Sequence, residues 1–193
     1  MRTVCVFCGS REGSRPSYVE AARRVGKTLA RRGRRIVYGG GRVGLMGALA
    51  DAALEEGGEI VGVIPKALLA REIAHEGLTN LHVVGSMHER KKLMADLSDG
   101  FVTLPGGYGT FEEFLEVLSW AQLGIHGKPC GLLDVDGYYE PLVTLFDGAV
   151  EESFVPLHHR SLVLMERDPE LLLDAMELYT PPETKKWIDS RDL

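Results

Sequence analysis

The sequence predicts an α/β fold in which a central parallel sheet of about six to seven strands is flanked by helices in three layers. Three observations predict it. Short continuous apolar runs recur along the chain, among them Val4-Cys5-Val6-Phe7 and Phe101 to Leu104. Runs of that length without polar alternation belong to strands buried on both faces. Between them lie longer stretches with apolar residues at helical spacing, such as Val19, Ala22, Val25 and Leu29. Strand and helix patterns then alternate, which is the order that parallel sheets with helical crossovers require. With 193 residues, 45% of them hydrophobic, the chain suits one domain with a full core. Residues 1–179 are read as that domain and the polar stretch 180–193 as a tail.

The elements follow in order. Arg2 to Phe7 is the first strand, and the turn-rich Gly9 to Ser14 leads into a helix from Pro16 to Arg32. Gly33 closes that helix, as glycine commonly does. Arg34 to Tyr38 is the second strand, followed by a glycine loop and a helix from about Leu45 to Glu56. Glu59 to Ile64 is the third strand, stopped by Pro65, and Lys66 to Leu78 is less regular. Leu81 to Val84 is the fourth strand. Ser86 opens a helix to Leu97 with Ser86-Met87-His88-Glu89, a capping-box pattern. Phe101 to Leu104 is the fifth strand, and Thr110 to Leu123 the next helix, with Thr110 suited to its N-cap. Pro129 to Val135, Tyr138 to Glu151, Ser161 to Met165 and Pro169 to Leu178 complete the series as strand, helix, strand and helix.

Bulk properties exclude several classes. A net charge of −6 carries no global nucleic-acid signature. No apolar run approaches the roughly 18 residues of a membrane span. The N-terminus enters a strand pattern directly and shows no signal-peptide cleavage region, so a cytoplasmic location is expected. Cys5 and Cys8 form a C-x-x-C, but residues three apart in a strand point to opposite faces, and no second pair completes a zinc site. They are read as structural cysteines. The histidines form no ligand cluster, and no metal is expected.

Chemistry concentrates in three loops that leave strand ends with glycine or small residues: Cys8-Gly9-Ser10, Gly39 to Gly47, and Pro105 to Thr110. In open parallel sheets, ligands bind beyond the carboxyl ends of the strands, so the three loops together would build one anion-binding crevice. In the third, Gly106, Gly107 and Gly109 precede a helix whose first amides attract phosphate. Gly39, Gly41 and Gly44 match G-x-G-x-x-G, but the next strand ends Val63-Ile64-Pro65-Lys66 without the ribose-binding acid of a dinucleotide site. That loop is therefore read as a phosphate or ribose wall, together with Gly9, Ser10, Gly40 and Met87. No Walker sequence occurs. Arg90, Lys91 and Lys92 follow one another on a helix, where successive residues point about 100° apart, so one or two of them can enter a site. Glu112 and Glu113 stand just after the glycines. Thr110-Phe111-Glu112-Glu113 is itself a T-x-x-E capping box, so on spacing alone Glu113 suits a cap as well as a catalyst.

Pro105-Gly106-Gly107-Tyr108-Gly109-Thr110-Phe111-Glu112-Glu113 resembles the P-G-G-x-G-T-x-x-E motif of the LOG ("lonely guy") family, the cytokinin riboside 5′-monophosphate phosphoribohydrolases. Cys8-Gly9-Ser10, Tyr38 to Gly41 with Gly44 to Gly47, Val63-Ile64-Pro65, Met87 to Lys91, Trp120 to Gly124 and Asp136 to Tyr139 are similar to other signatures of that family, over about residues 4–155. The resemblance implies a Rossmann-like domain that hydrolyses the N-glycosidic bond of an adenosine 5′-monophosphate, giving free base and ribose 5-phosphate without a cofactor. It implies Arg90 and Glu113 as the catalytic pair. It implies substrate contacts at Glu72, Arg90, Lys91, Gly107, Tyr108, Gly109, Thr110, Phe111, Glu112, Glu113 and Ser119, and a homodimer with its sites near the interface. A lysine decarboxylase label, once given to some members, finds no marked pair of Schiff-base lysine and acid partner here. A broader nucleotide nucleosidase and a non-catalytic nucleotide carrier are the alternatives.

Overall fold

The computed structural model describes residues 1–69 and 74–183. Its strands are β1 (Thr3–Phe7), β2 (Arg35–Tyr38), β3 (Ile60–Pro65), β4 (Asn80–Val84), β5 (Gly100–Thr103), β6 (Cys130–Leu133) and β7 (Val163–Glu166). Its helices are α1 (Pro16–Arg31), α2 (Gly44–Glu55), α3 (Met87–Asp96), α4 (Tyr108–Gln122), α5 (Glu140–Glu151) and α6 (Pro169–Leu178), with short 3-10 turns at Lys66–Leu68 and Leu157–Leu162. The strands form one sheet in the order β4-β3-β2-β1-β5-β6-β7, and every pairing is parallel.

This order reverses between β1 and β5. The chain builds outward from β1 to β4, then returns to the other side of β1 and builds outward again. Loops leaving the carboxyl ends of β1 and β5 therefore diverge to opposite faces and leave a crevice between them.

The period of two along each strand divides the core. Val4 and Val6 pack with α1, α2 and α6 on one face, and Cys5 and Phe7 pack with α3 and α4 on the other. Each fully buried aliphatic side chain of this kind contributes about 1.5–3 kcal/mol. Cys5 and Cys8 fall into the two different apolar layers, as their spacing predicts. Both thiols are buried, and burial is the largest cause raising their proton affinity. Burial likewise pushes Cys130 up to about 12.

The capping box at the start of α3 forms. Ser86 Oγ accepts from Glu89 N at 3.1 Å, while the Glu89 carboxylate accepts from Gly85 N at 2.6 Å, one residue before the cap. The second expected box does not form. Helix α4 begins at Tyr108, two residues before Thr110, with Gly107 in extended backbone at its N-cap and no side-chain cap. Thr110 lies inside the first turn, 4% exposed, and its side chain is turned onto Gly106. Glu113 is thereby moved beyond the first turn, and its capping role falls away.

Candidate active site

Three backbone contacts draw the glycine loops together. Gly9 N donates to Pro105 O at 3.1 Å, Leu45 N donates to Gly9 O at 3.0 Å, and Leu104 N donates to Phe7 O at 2.9 Å. Gly44 makes the second contact possible. Its φ is +58°, and a Cβ there would lie 2.4 Å from the backbone of Ser10 and Arg11. From the other side, Tyr138 Oη donates to Gly106 O and Tyr139 Oη donates to Leu104 O at 2.7 Å. Asp134 fixes that tyrosine pair by accepting from Tyr139 N at 2.8 Å.

The result is a cavity of about 540 Å³ at the crossover between β1 and β5. Gly9, Ser10 and Arg11 line one side, and Gly106 to Thr110 the facing side. Leu45, Met46, Leu68 and Met87 supply an apolar portion, while Arg90, Glu112 and Glu113 bring charge. The amides of Tyr108, Gly109 and Thr110 occupy the first turn of α4, where a helix offers N–H groups without intrahelical acceptors. Tyr108 and Gly109 are exposed, so this turn is open to an anion.

Arg90 is 5% exposed although it lines the cavity. Its Nη2 donates to Gly39 O at 3.2 Å, and its Nη1 lies 3.9 Å from Met87 Sδ. Helix α3 therefore delivers a guanidinium whose orientation is set by the β2 loop. Glu113, half-buried on α4, reaches the same cavity. Both charges act on the Cys8 thiol in the cavity wall. After burial, the Glu113 carboxylate raises its proton affinity and the Arg90 guanidinium lowers it.

Lys91 points elsewhere. Its Nζ is buried between Glu112 Oε1 and Glu116 Oε1, the latter at 2.9 Å, and does not line the cavity. Burial pulls this ammonium down, but its hydrogen bonds to Glu112 and then Glu116 outweigh it and hold it above its ordinary value.

Among the residues expected at the site, Gly9, Ser10, Met87, Arg90, Gly107, Tyr108, Gly109, Thr110, Glu112 and Glu113 are brought together. Gly40, Gly41 and Gly44 do not line the cavity. The first two instead hold the segment after residue 73, with His75 N donating to Gly40 O at 3.1 Å and Gly41 bridging Ala74. Phe111 sits behind the wall against Tyr138, ring centroids 6.3 Å apart. Ser119 is exposed, and its hydroxyl donates to Leu115 O at 2.7 Å. Glu72 lies outside the described residues. Sequence reasoning missed Tyr138, Tyr139 and Glu116 as parts of the site. The tyrosines stood in a quoted motif without a role, and Glu116 lies one helical turn beyond Glu112, a spacing that could have pointed to it.

Comparisons with known proteins bear on the family and the fold. Residues 46–176 match the family model described as "Possible lysine decarboxylase". The rice (Oryza sativa subsp. japonica) protein "Cytokinin riboside 5′-monophosphate phosphoribohydrolase LOG" is 47% identical over 93% of this chain and 74% of its own length. A second rice protein, "Probable cytokinin riboside 5′-monophosphate phosphoribohydrolase LOGL9", is 52% identical over 93% of this chain and 79% of its own. Among solved structures, the molybdenum cofactor carrier protein of Chlamydomonas reinhardtii has a TM-score of 0.70 at 22% identity, covering 91% of this chain and 95% of that one. The molybdenum cofactor binding protein of Rippkaea orientalis gives 0.69 at 21%, covering 91% and 94%. Those two share the Rossmann-like fold alone. Identity near one half over almost the whole chain is a different order of likeness, and by it the chain belongs to the LOG family of cytokinin riboside 5′-monophosphate phosphoribohydrolases.

Proposed function

We propose that the protein hydrolyses the N-glycosidic bond of adenosine 5′-monophosphates, N6-prenylated or plain, to the free base and ribose 5-phosphate. The observation that carries this reading is the placement of Arg90 and Glu113 in one cavity with the open first turn of α4. The 5′-phosphate binds the amides of Tyr108 to Thr110, where the helix dipole favours an anion. Ribose then lies toward Glu112 and Glu113. As the bond from C1′ to the base nitrogen breaks, its electron pair leaves with the base and C1′ gains oxocarbenium character. Water adds its hydroxyl to C1′, and its proton balances the departing base. Glu113 stabilises the developing positive charge or activates the water, and Arg90 fixes the substrate. Leu45, Met46, Leu68 and Met87 offer an apolar surface for the base and its N6 substituent.

The lysines argue against the description carried by the family model. A Schiff-base lysine needs a lowered proton affinity to be nucleophilic at neutral pH. Lys91, beside the site, is shifted upward by its two glutamates. Lys128 is shifted downward, chiefly by burial, but donates to Ala95 O at 2.8 Å and does not line the cavity.

The protein is further proposed to act as a cytoplasmic homodimer, without a nucleic-acid or membrane partner. Helix α5 packs Leu142, Val143 and Phe146 against the core only partly buried, while Leu145 on it and Phe154 and Leu157 beyond it are 66%, 83% and 76% exposed. Such a face is the kind that a second copy covers. Among the described residues no helix is long and apolar enough to cross a membrane. Contacts assigned to Lys91, Ser119, Phe111 and Glu72 remain part of this proposal, and light scattering tests the dimer.

The decisive experiment compares release of base from AMP, N6-isopentenyl-AMP, GMP and CMP. Preference for the prenylated substrate supports cytokinin activation. Turnover of GMP and CMP at equal rates supports a broader nucleosidase. Glu113→Gln should abolish release with folding intact, and an active Glu113→Gln protein would overturn the assignment.

A further inference from the structure

Glu116 does not line the cavity, yet it shares the one buried ammonium among the described lysines with a residue that does. Glu112 and Glu116 stand one turn apart on α4, a spacing at which like charges repel. Both accept from Lys91 Nζ. One carboxylate is enough to neutralise one ammonium, so one of the two is in surplus. Their surroundings differ. The Glu112 side chain is 54% exposed and faces the cavity. The Glu116 side chain is 24% exposed, and its Oε2 is buried without a hydrogen-bond partner among the described residues. Among the described residues Glu116 thus hydrogen-bonds Lys91 alone through its side chain, whereas Glu112 has both the cavity and Lys91 within reach.

We propose that Glu116 is a positioning residue that holds Lys91 when Glu112 turns to the bound nucleotide. Glu112 is then free to accept from ribose hydroxyls without stranding a buried cation, a situation that proteins avoid strongly. The same clamp joins α3, which carries Arg90, to α4, which carries Glu113. This inference rests on the functional reading above.

The test is steady-state turnover of AMP by Glu116→Gln, Glu116→Asp and Glu112→Gln, with thermal unfolding of these and of the Glu112→Gln/Glu116→Gln double variant. Without Glu116, Lys91 retains Glu112 as its sole carboxylate. Glu116→Gln should therefore raise KM about tenfold, the worth of one charged hydrogen bond, with kcat within about twofold. Glu112→Gln should match that rise, and Glu116→Asp should recover most of it. Each single variant should unfold near the unsubstituted protein, and the double variant should lose more than the sum. An unchanged KM in Glu116→Gln overturns the proposal, and so do additive thermal shifts. If the unsubstituted protein released base from neither AMP nor N6-isopentenyl-AMP, the functional reading would fall on that result, while the unfolding arm would still decide the shared clamp.

Discussion

At the scale of single residues, Gly39 is one anchor of Arg90. Its carbonyl accepts from Arg90 Nη2, and a Cβ on Gly39 would lie 2.0 Å from that same nitrogen. The clash falls on the far end of a flexible side chain. Relief by moving the guanidinium therefore costs the fold little and the site its geometry. Gly39→Ala should unfold within a few degrees of the unsubstituted protein and lose at least about tenfold in kcat/KM, since a displacement on the order of 1 Å is enough for such losses. Normal turnover by Gly39→Ala would show that Arg90 does not need this anchor. In the sequence, Gly39 is the first glycine of a G-x-G-x-x-G and looks like a phosphate contact. Its steric role was illegible there because Arg90 lies 51 residues away in the chain. Arg90 and Glu113 were legible from the resemblance. Only the start of α4 removed the capping role of Glu113.

Among the elements, β1 depends on a residue outside itself. Arg2 N and Thr3 N both donate to Asp99 Oδ2, at 2.7 and 2.9 Å, where the first strand enters the sheet. The bond from Thr3 N is the largest cause holding the Asp99 carboxyl below its usual range. Its folded-state pKa is depressed, so the stability it contributes is present above the unfolded value of about 3.9 and is lost as pH falls through the folded value. Asp99→Ala leaves two strand-entry amides without this acceptor and should destabilise the protein by about 1–3 kcal/mol at pH 7. The difference from the unsubstituted protein should shrink as denaturant midpoints are followed toward pH 3. A constant difference across that range would refute the assignment. Element types were readable throughout because apolar runs and helical spacing differ in period. Ends were less so. β6 was expected over Pro129 to Val135 and contracts to Cys130–Leu133, with Asp134 N still donating to Glu166 O at 2.8 Å while its carboxylate accepts from Tyr139 N.

For the whole molecule, the common parallel direction of the strands sets the carboxyl end of the sheet, where the cavity lies, apart from the amino end. Alternating elements made the parallel sheet legible in the sequence, but strand order is a tertiary property. Only pairing placed β5 beside β1 and so put the glycine loops at one crossover. At the opposite, amino end of β6 lies His126. Its ring packs 5.4 Å from that of Phe101, and its Nδ1 accepts from Lys128 N at 3.2 Å. Burial, followed by the charge of Lys128, lowers its pKa from 6.5 to about 4. The sign here is that of a buried neutral base. Above pH 6.5 it has no effect. Between 6.5 and about 4 the unfolded chain binds a proton that the folded chain refuses, so stability falls with pH across that window and then levels. At about 1.4 kcal/mol per tenfold difference in proton affinity, the loss reaches up to about 3 kcal/mol. His126→Phe keeps an aromatic ring against Phe101 and removes the titration. It should flatten the unfolding midpoint between pH 6.5 and 4, and leave adenine release from AMP at pH 7 unchanged because His126 stands apart from the cavity. A midpoint that falls as steeply in His126→Phe as in the unsubstituted protein would place the acid sensitivity on other groups.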